Sequence, residues 1–298
     1  LATDQKVGGS NPLTHVKPYV LGHKVFLLYS RVFYRERSFY MFTSSQLKQQ
    51  LSSINRKSYP AYKTLKGVYD FRDYQLSIDH VQGDPFASPS HISIRIPQSR
   101  AGFPDFCFAS AETRTALQDY LLRKFEEQIA GYSFKAKGSG KSGLISTTHC
   151  GQEILDRTAC QISQKELVVR FTVGFPANGR TINAFELEKI FFEFLPVCVQ
   201  KSLYYKNLNK KAVEEVIFLA EDQSFIRKEL TKQNLVAFVA NGAVLPRQSG
   251  VSQKPMKNSV PFVSPLSLQV EMHLPHKGTL AGMGIPKGIT LIAGGGYH

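Results

Sequence analysis

Apolar residues recur at helical spacing in four segments of the chain. Ser44 or Ser45 can cap a short helix whose apolar positions are Leu47, Leu51 and Ile54. The longest stripe runs through residues 111–132, with charged residues on the other side of the helix. The pattern also predicts a helix that Asn183 caps and that ends at Pro196, and another over residues 210–232.

Other segments alternate between apolar and polar residues, which is typical of half-buried strands. Ile92, Ile94 and Ile96 form such a run, and Pro97 closes it. Alternation also predicts strands over residues 67–69, 75–81 and 165–173. Residues 80–90, between two of these strands, form a polar loop rich in Gly and Pro, which we interpret first as a connection.

The last third of the chain has a different pattern. Residues 235–240 are continuously apolar, as expected of a strand buried on both faces of an α/β sheet. After a Gly/Pro/Ser-rich stretch over residues 241–265, residues 267–273 and 277–281 are predicted to be hairpin strands. Gly288 then precedes a further predicted strand over residues 289–293.

The composition describes a folded but strongly basic protein. A chain of 298 residues with 42% hydrophobic residues can fill two globular cores, and its formal charge of +14 favours polyanionic partners. Four scattered cysteines do not form a disulfide framework, so a reducing cytoplasm is the expected location. No segment is apolar and long enough to span a bilayer, which predicts no membrane partner.

Residues 1–40 differ from the rest of the chain because they lack helical or strand periodicity and end just before Met41, the first methionine. The run Gly9-Ser10-Asn11-Pro12 matches what the T-arm of a transfer RNA gene would encode. We therefore expect a non-native or disordered N-terminal extension here, with a natural basic tail as the alternative. Its six Lys or Arg and two acidic residues leave the remaining body with +10 of the total of +14.

A basic glycine-rich turn over residues 135–143 contains the letters G-S-G-K-S. It is not a phosphate-binding P-loop, because Lys135 stands where that motif needs its first glycine and no apolar strand leads into it. Contact with phosphate or nucleic acid remains open beside a solvated hairpin. The candidate contact residues are Lys135, Lys137, Lys141, Arg180 and Arg247.

The end of the chain matches the start of a P-loop. The motif requires a glycine directly after a buried strand, four tolerant positions, and then Gly-Lys-Ser/Thr. The five candidate nucleotide-binding positions are Gly294, Gly295, Gly296, Tyr297 and His298. A flexible glycine tail is the alternative on spacing alone.

From about residue 46 to His298 the chain resembles the small family of predicted ATPases of the ABC class. Ten stretches carry the resemblance in the family's order, with the glycine-rich end after them. They are Y-P-A-Y-K from Tyr59, L-K-G from Leu65, D-H-V-Q-G-D-P-F-A from Asp79, G-S-G-K-S-G from Gly138, G-Q-E-I-L from Gly151, P-A-N-G-R from Pro176, E-D-Q from Glu221, V-A-F-V-A-N-G from Val236, L-P-R-Q-S-G from Leu245 and I-P-K-G-I-T-L-I from Ile285.

The resemblance implies an α+β N-terminal domain over residues 41–203, followed by the beginning of an α/β P-loop (ABC-type) nucleotide-binding domain over residues 204–298. It also implies that ATP and Mg²⁺ are the cofactors of the intact protein and that two such domains close as a homodimer. Because the family's loop continues with Gly-Lys-Ser-Thr, we expect the chain to be an inactive fragment that ends inside the motif. We assign no catalytic residue.

Two functions are consistent with these observations. The first is an ATPase, soluble and not a transporter, that binds and hydrolyses Mg-ATP when intact. The second is a basic module that binds RNA or DNA and in which the nucleotide site only regulates. A metal site is not predicted, because the pairs His273/His276 and His149/Cys150 lack further ligands at usable spacing.

Overall fold

The structure is a computed structural model that describes residues 41–291 and residue 293. By their internal contacts, the described residues form one unit. The expected extension over residues 1–40 and the candidate nucleotide-loop residues 294–298 lie outside the described residues.

A seven-stranded sheet forms the centre of the N-terminal part. Its strands are β1 (Met41–Thr43), β2 (Gly67–Asp70), β3 (Gln75–His80), β4 (Ser90–Pro97), β5 (Ile145–Ser146), β6 (Cys160–Ile162) and β7 (Glu166–Val173). The spatial order is β1-β2-β3-β4-β7-β5, and β6 also pairs with β7. The β1–β2 pair is parallel and the other pairs are antiparallel.

The strand register places apolar residues in rows on one face of this sheet. Leu76 pairs with Ile94, which pairs with Val169, and all three side chains are fully buried. The alternation predicted from the sequence for β4 and β7 is therefore confirmed. The opposite face carries polar rows such as Ser77, Ser93 and Arg170, so the sheet has one apolar and one polar face.

Helices cover the apolar face. They are α1 (Ser44–Ile54), α2 (Gln98–Ala101), α3 (Ala111–Ala130), α4 (Ala184–Lys189), α5 (Leu195–Ser202) and α6 (Lys210–Lys232). The ring of Phe125 in α3 packs edge-to-face on Phe171 of β7, with centroids 5.3 Å apart. Leu47, Leu51 and Ile54 of α1 are buried, as their spacing predicts. The predicted bounds of α6 match the structure.

The cap of α1 differs by one or two residues from the prediction. Thr43, rather than Ser44 or Ser45, is the N-cap, because its Oγ1 accepts from the amide of Gln46 at 3.2 Å. The Gln46 side chain accepts in return from the Thr43 amide at 2.7 Å. This reciprocal capping box satisfies two amides that helix geometry leaves free.

The helix predicted to end at Pro196 continues to Ser202. A π-helical turn, Ile190–Phe194, joins α4 to α5, and Pro196 then falls in the first turn of α5. Proline is accommodated here because the π turn interrupts the regular α-helical hydrogen bonds, and the amide of Leu195 donates to the carbonyl of Ile190, five residues back. Leu195, Cys198 and Val199 continue the buried stripe.

Strands β8 (Ala177–Asn178) and β9 (Thr181–Ile182) form a short antiparallel hairpin. A three-stranded antiparallel sheet lies in the C-terminal part, in the order β10 (Leu235–Ala240), β14 (Gly278–Pro286) and β13 (Gln269–Leu274). The prediction that residues 235–240 are buried on both faces is wrong, because β10 is an edge strand and Val236 is 55% exposed. The predicted strand over residues 289–293 is also not seen. Residues 289–291 pair with no strand in the described chain, and Ile289 and Leu291 are exposed.

Helix α6 holds the turn between β13 and β14. The buried Asp222 carboxylate accepts from the amides of His276 at 3.0 Å and Lys277 at 3.1 Å. Glu221 bonds the ring of His276, which also stacks on Phe218 with centroids 4.1 Å apart. The two adjacent acids thus bind the same turn. The Asp222 carboxylate binds backbone amides of the turn, and the Glu221 carboxylate binds the side chain of His276.

Candidate functional site

Three loops meet at one end of the seven-stranded sheet, and we call residues 82–89, 138–143 and 174–180 the loop cluster. The amide of Lys141 donates to the carbonyl of Pro85 at 2.8 Å. The amide of Ser139 donates to the carbonyl of Ala177 at 2.7 Å. The loop over residues 138–143 therefore bonds both of the other loops. Three stretches far apart in sequence, each containing Gly, therefore form one surface.

Gln82 is the buried centre of this cluster, at 1% exposure. Its Oε1 accepts from the amides of Ser90 at 3.3 Å and Phe175 at 3.1 Å. Its Nε2 donates to the carbonyl of Asp84 at 3.0 Å. Sequence reasoning missed this role, since a glutamine between Val81 and Gly83 shows no sign of partners more than 90 positions away.

Tyrosines from the segment after α1 support the third loop. The hydroxyl of Tyr59 donates to the carbonyl of Phe175 at 3.0 Å, and that of Tyr62 donates to the carbonyl of Pro176 at 2.7 Å. Burial raises the pKa of both phenols far above the ordinary value. They are therefore neutral donors that position the backbone.

The glycine-rich loop uses most of its amides within the protein. Besides Ser139 and Lys141, the amide of Gly143 donates to the carbonyl of Gly174 at 2.9 Å. The Ser142 hydroxyl accepts from the amide of Ala177 at 3.1 Å, and the Ser139 hydroxyl accepts from that of Gly179 at 2.9 Å. An anion at this loop would therefore be bound by side-chain cations rather than by a nest of amides.

The five candidate cations differ in their contacts and in their position relative to the loop cluster. The Lys135 ammonium lies 4.5 Å from the centre of the Tyr132 ring, and the Lys137 ammonium donates to the carbonyl of Phe134 at 3.4 Å. Lys141 is half-buried, with no ion pair among the described residues. Arg180 is exposed and pairs with Asp84 at 2.7 Å. Arg247 lies apart from the cluster, in a hairpin of β11 (Arg247–Ser249) and β12 (Ser252–Pro255).

Two carboxylates balance these cations. The amide of Phe86, followed by the Arg180 side chain, holds the pKa of Asp84 below its ordinary value. Burial opposes the charge of Glu186, but hydrogen bonds from Lys189 and from the Lys137 amide outweigh it and lower its pKa. Both groups are ionised at neutral pH, so neither is poised as a general acid.

Sequence reasoning also missed three exposed aromatic rings at this surface. Phe86 is 62% exposed, Phe134 is 53% exposed and Phe185 is 60% exposed. A Cβ at Gly140 would lie 2.9 Å from the ring of Phe86, which places this ring against the glycine-rich loop. Phe134 and Phe185 lie outside the loop cluster but next to it, because the Phe134 amide donates to the carbonyl of Gly143 at 2.7 Å and Glu186, which follows Phe185, accepts from the Lys137 amide at 2.8 Å.

The nucleotide-binding positions inferred from the sequence stay a prediction. Gly294, Gly295, Gly296, Tyr297 and His298 are not among the described residues. Among those that are, no group of three or more His, Cys, Asp or Glu could hold a metal ion.

Comparison with known families identifies both parts of the chain. A model of the N-terminal domain of ATPases of the ABC class matches residues 44–206, and a model of the P-loop domain of ABC ATPases matches residues 209–298. No curated protein matches the chain. None of the helices within residues 41–291 is long and apolar enough to cross a membrane. Because the first match alone covers more than half of the sequence, the chain belongs to the ATPases of the ABC class, with a mixed α/β N-terminal domain followed by a P-loop domain.

Proposed function

We propose that this protein binds Mg-ATP and hydrolyses it, and that residues 294–298 begin its phosphate-binding loop. The observation that carries the proposal is the match of the P-loop family to residues 209–298, which ends on the glycine-rich segment. In such loops glycines let backbone amides approach phosphate oxygens, and a following lysine pairs with the terminal phosphates. The N-terminal domain would then move with the nucleotide state through α6.

The test compares two glycine substitutions in the natural polypeptide isolated from its host. Gly294→Val should abolish binding of a fluorescent ATP analogue and ATP hydrolysis, because a side chain there blocks the approach of phosphate. Gly83→Ala is the control, since a Cβ at Gly83 has no atom within 4 Å. Nucleotide binding that persists in Gly294→Val, with unchanged circular dichroism, would contradict the proposal.

A second candidate function is the binding of single-stranded nucleic acid at the loop cluster. What favours it is the combination of three exposed rings with the cations Lys135, Lys137, Lys141 and Arg180. Aromatic rings stack on bases and cations contact phosphates, and the two together are typical of single-strand binding. The +10 charge of residues 41–298 supports the same partner.

Fluorescence anisotropy with 20-nucleotide RNA and DNA strands tests this candidate. Phe86→Ala should weaken binding by about fivefold or more, which is the loss of one stacked base. Lys141→Gln should reduce the slope of log affinity against log salt by about 0.7. Leu245→Ala and Lys165→Gln change exposed residues outside the cluster and should have little effect. Equal losses in the controls, or affinity independent of salt, would remove this function.

We also propose that the protein works in the cytoplasm, as a homodimer of its P-loop domains and not as a transporter. Its four cysteines are all free and buried, which fits a reducing compartment. Light scattering with and without ATP would measure the assembly, and cell fractionation would measure the location. A mass that stays monomeric with ATP, or recovery with membranes, would contradict these proposals.

A further inference from the structure

The polar face of the seven-stranded sheet contains a groove of about 560 Å³ beside β4 and β7. This volume is within the range of small-molecule sites, about 300–1,000 Å³. Its polar lining includes His91, Ser146, Thr148, Thr158, Arg170 and Thr172. None of these residues belongs to the nucleotide loop or to the loop cluster.

The strand register brings four of these residues, those that belong to β4, β5 and β7, to one face of the sheet. His91 pairs with Thr172, which pairs with Ser146, so the three side chains form one row across β4, β7 and β5. Arg170 lies two residues from Thr172 on the same face and pairs with Ser93. This part of the groove is thus built on paired strands, which hold their side chains more rigidly than loops do, whereas Thr148 and Thr158 lie in the loop segment between β5 and β6.

Arg170 is the cation of the groove, and it is already held in place. One of its guanidinium nitrogens donates to the carbonyl of Thr158 at 2.5 Å and to Oε1 of Gln161 at 2.7 Å. It is half-buried and makes no ion pair with a carboxylate in the part of the chain that the structure describes. A positioned and unneutralised guanidinium favours an anion with several acceptor oxygens, such as phosphate.

Hydroxyl groups surround this cation. The hydroxyls of Ser146 and Thr172 bond each other at 2.9 Å, whereas those of Thr148 and Thr158 have no partner among the described residues. Asp79 lines the far side of the groove and accepts from the Ser77 hydroxyl at 2.6 Å. The groove therefore offers donors for a phosphate and an acceptor for a hydroxyl of the same ligand.

We propose that this groove binds the phosphate monoester of a small hydroxylated molecule, such as a sugar phosphate. Arg170, His91 and the threonine hydroxyls bind the phosphate, and Asp79 accepts from a hydroxyl of the organic part. The site goes beyond the ATPase function, because its residues lie in the N-terminal domain.

Isothermal titration calorimetry with ribose 5-phosphate tests the proposal. Ribose 5-phosphate should bind, uncharged ribose should not, and Arg170→Gln should weaken binding at least about tenfold, as expected for a lost charged hydrogen bond. Arg227→Gln changes an exposed arginine of α6 and is the matched control. No binding of ribose 5-phosphate at millimolar concentration, or equal affinity in Arg170→Gln and the wild type, would overturn the site.

A second variant distinguishes a loss of ligand contacts from a loss of folding, since Arg170 also bonds Thr158 and Gln161 of the protein. The double variant Thr148→Val, Thr158→Val removes two hydroxyls without partners among the described residues and should weaken binding about threefold with an unchanged melting temperature. Thr231→Val, on the exposed side of α6, is its control. Unchanged affinity in the double variant would contradict the role of these hydroxyls.

A 5′-phosphorylated oligonucleotide that binds while ribose 5-phosphate does not would overturn the small-molecule assignment. No ATP is used, so these results are independent of the ATPase test.

Discussion

The ionised carboxylate of Asp84 bonds two other residues of the loop cluster. Its carboxylate accepts from the Phe86 amide and pairs with Arg180, which lowers its pKa from the ordinary value of 3.8. A lowered folded-state pKa gives stability that is present above the unfolded pKa and is lost as pH falls through the folded pKa. Asp84→Asn should therefore be less stable than the wild type at pH 7, and the difference should shrink as pH falls below the ordinary pKa of 3.8 and through the lower folded-state pKa. Urea unfolding at a series of pH values measures this, and a constant difference would contradict it.

The four cysteine thiols are free and buried, so their reactivity should be low in the folded protein. Burial raises the pKa of Cys107 and Cys198 to about 11, and that of Cys150 above its usual range. Only thiolate reacts quickly with disulfide reagents, so the native protein should react slowly at pH 8. Ellman's reagent should detect all four thiols only after unfolding in guanidinium. Fast labelling of the native protein would show that a thiol is accessible.

Among the structural elements, the crossing of the glycine-rich loop with the end of β7 tolerates no side chain at Gly174. A Cβ there would overlap the carbonyl oxygen of Lys141, and both groups are backbone that cannot move aside. Gly174→Ala should lower the free energy of unfolding by more than about 2 kcal/mol. A Cβ at Gly83 would lie in open space, so Gly83→Ala should change the free energy of unfolding by less than about 0.5 kcal/mol. Urea unfolding compares the two, and similar midpoints would contradict the packing described.

The same loops show what sequence patterns can and cannot predict. The helices α1, α3 and α6 and the strands β4 and β7 follow from hydrophobic periodicity, because each buries one stripe or face. The edge position of β10 and the continuation of α5 past Pro196 do not, since they depend on pairing and on a local π turn. The loop cluster also escaped prediction. It depends on bonds such as that from Phe175 to Gln82, 93 positions apart, which no local pattern records.

At the scale of the whole molecule, the two sheets rest on cores of unequal size. The core of the seven-stranded sheet includes Val213 and Ile217 from the first half of α6. The three-stranded sheet buries few large side chains, chiefly Met272 and Leu274. Local stability follows buried apolar contact, so the smaller sheet should open more readily. Hydrogen exchange followed by mass spectrometry should find faster exchange in β10, β13 and β14 than in β4 and β7. Equal protection would mean that the two sheets unfold as one unit.

Helix α6 joins the two sheets, and Asp222 is the point at which its second half holds the smaller one. Asp222→Ala removes the carboxylate that accepts from the part-buried amides of His276 and Lys277, and we expect this to cost about 1 kcal/mol. Exchange should therefore accelerate in β13 and β14 and stay unchanged in β4 and β7. Gln223→Ala, at the neighbouring exposed position, should alter neither. If exchange in β4 and β7 accelerates equally, Asp222 supports the whole molecule. If neither sheet responds, Phe218 and Glu221 suffice to hold the turn through His276.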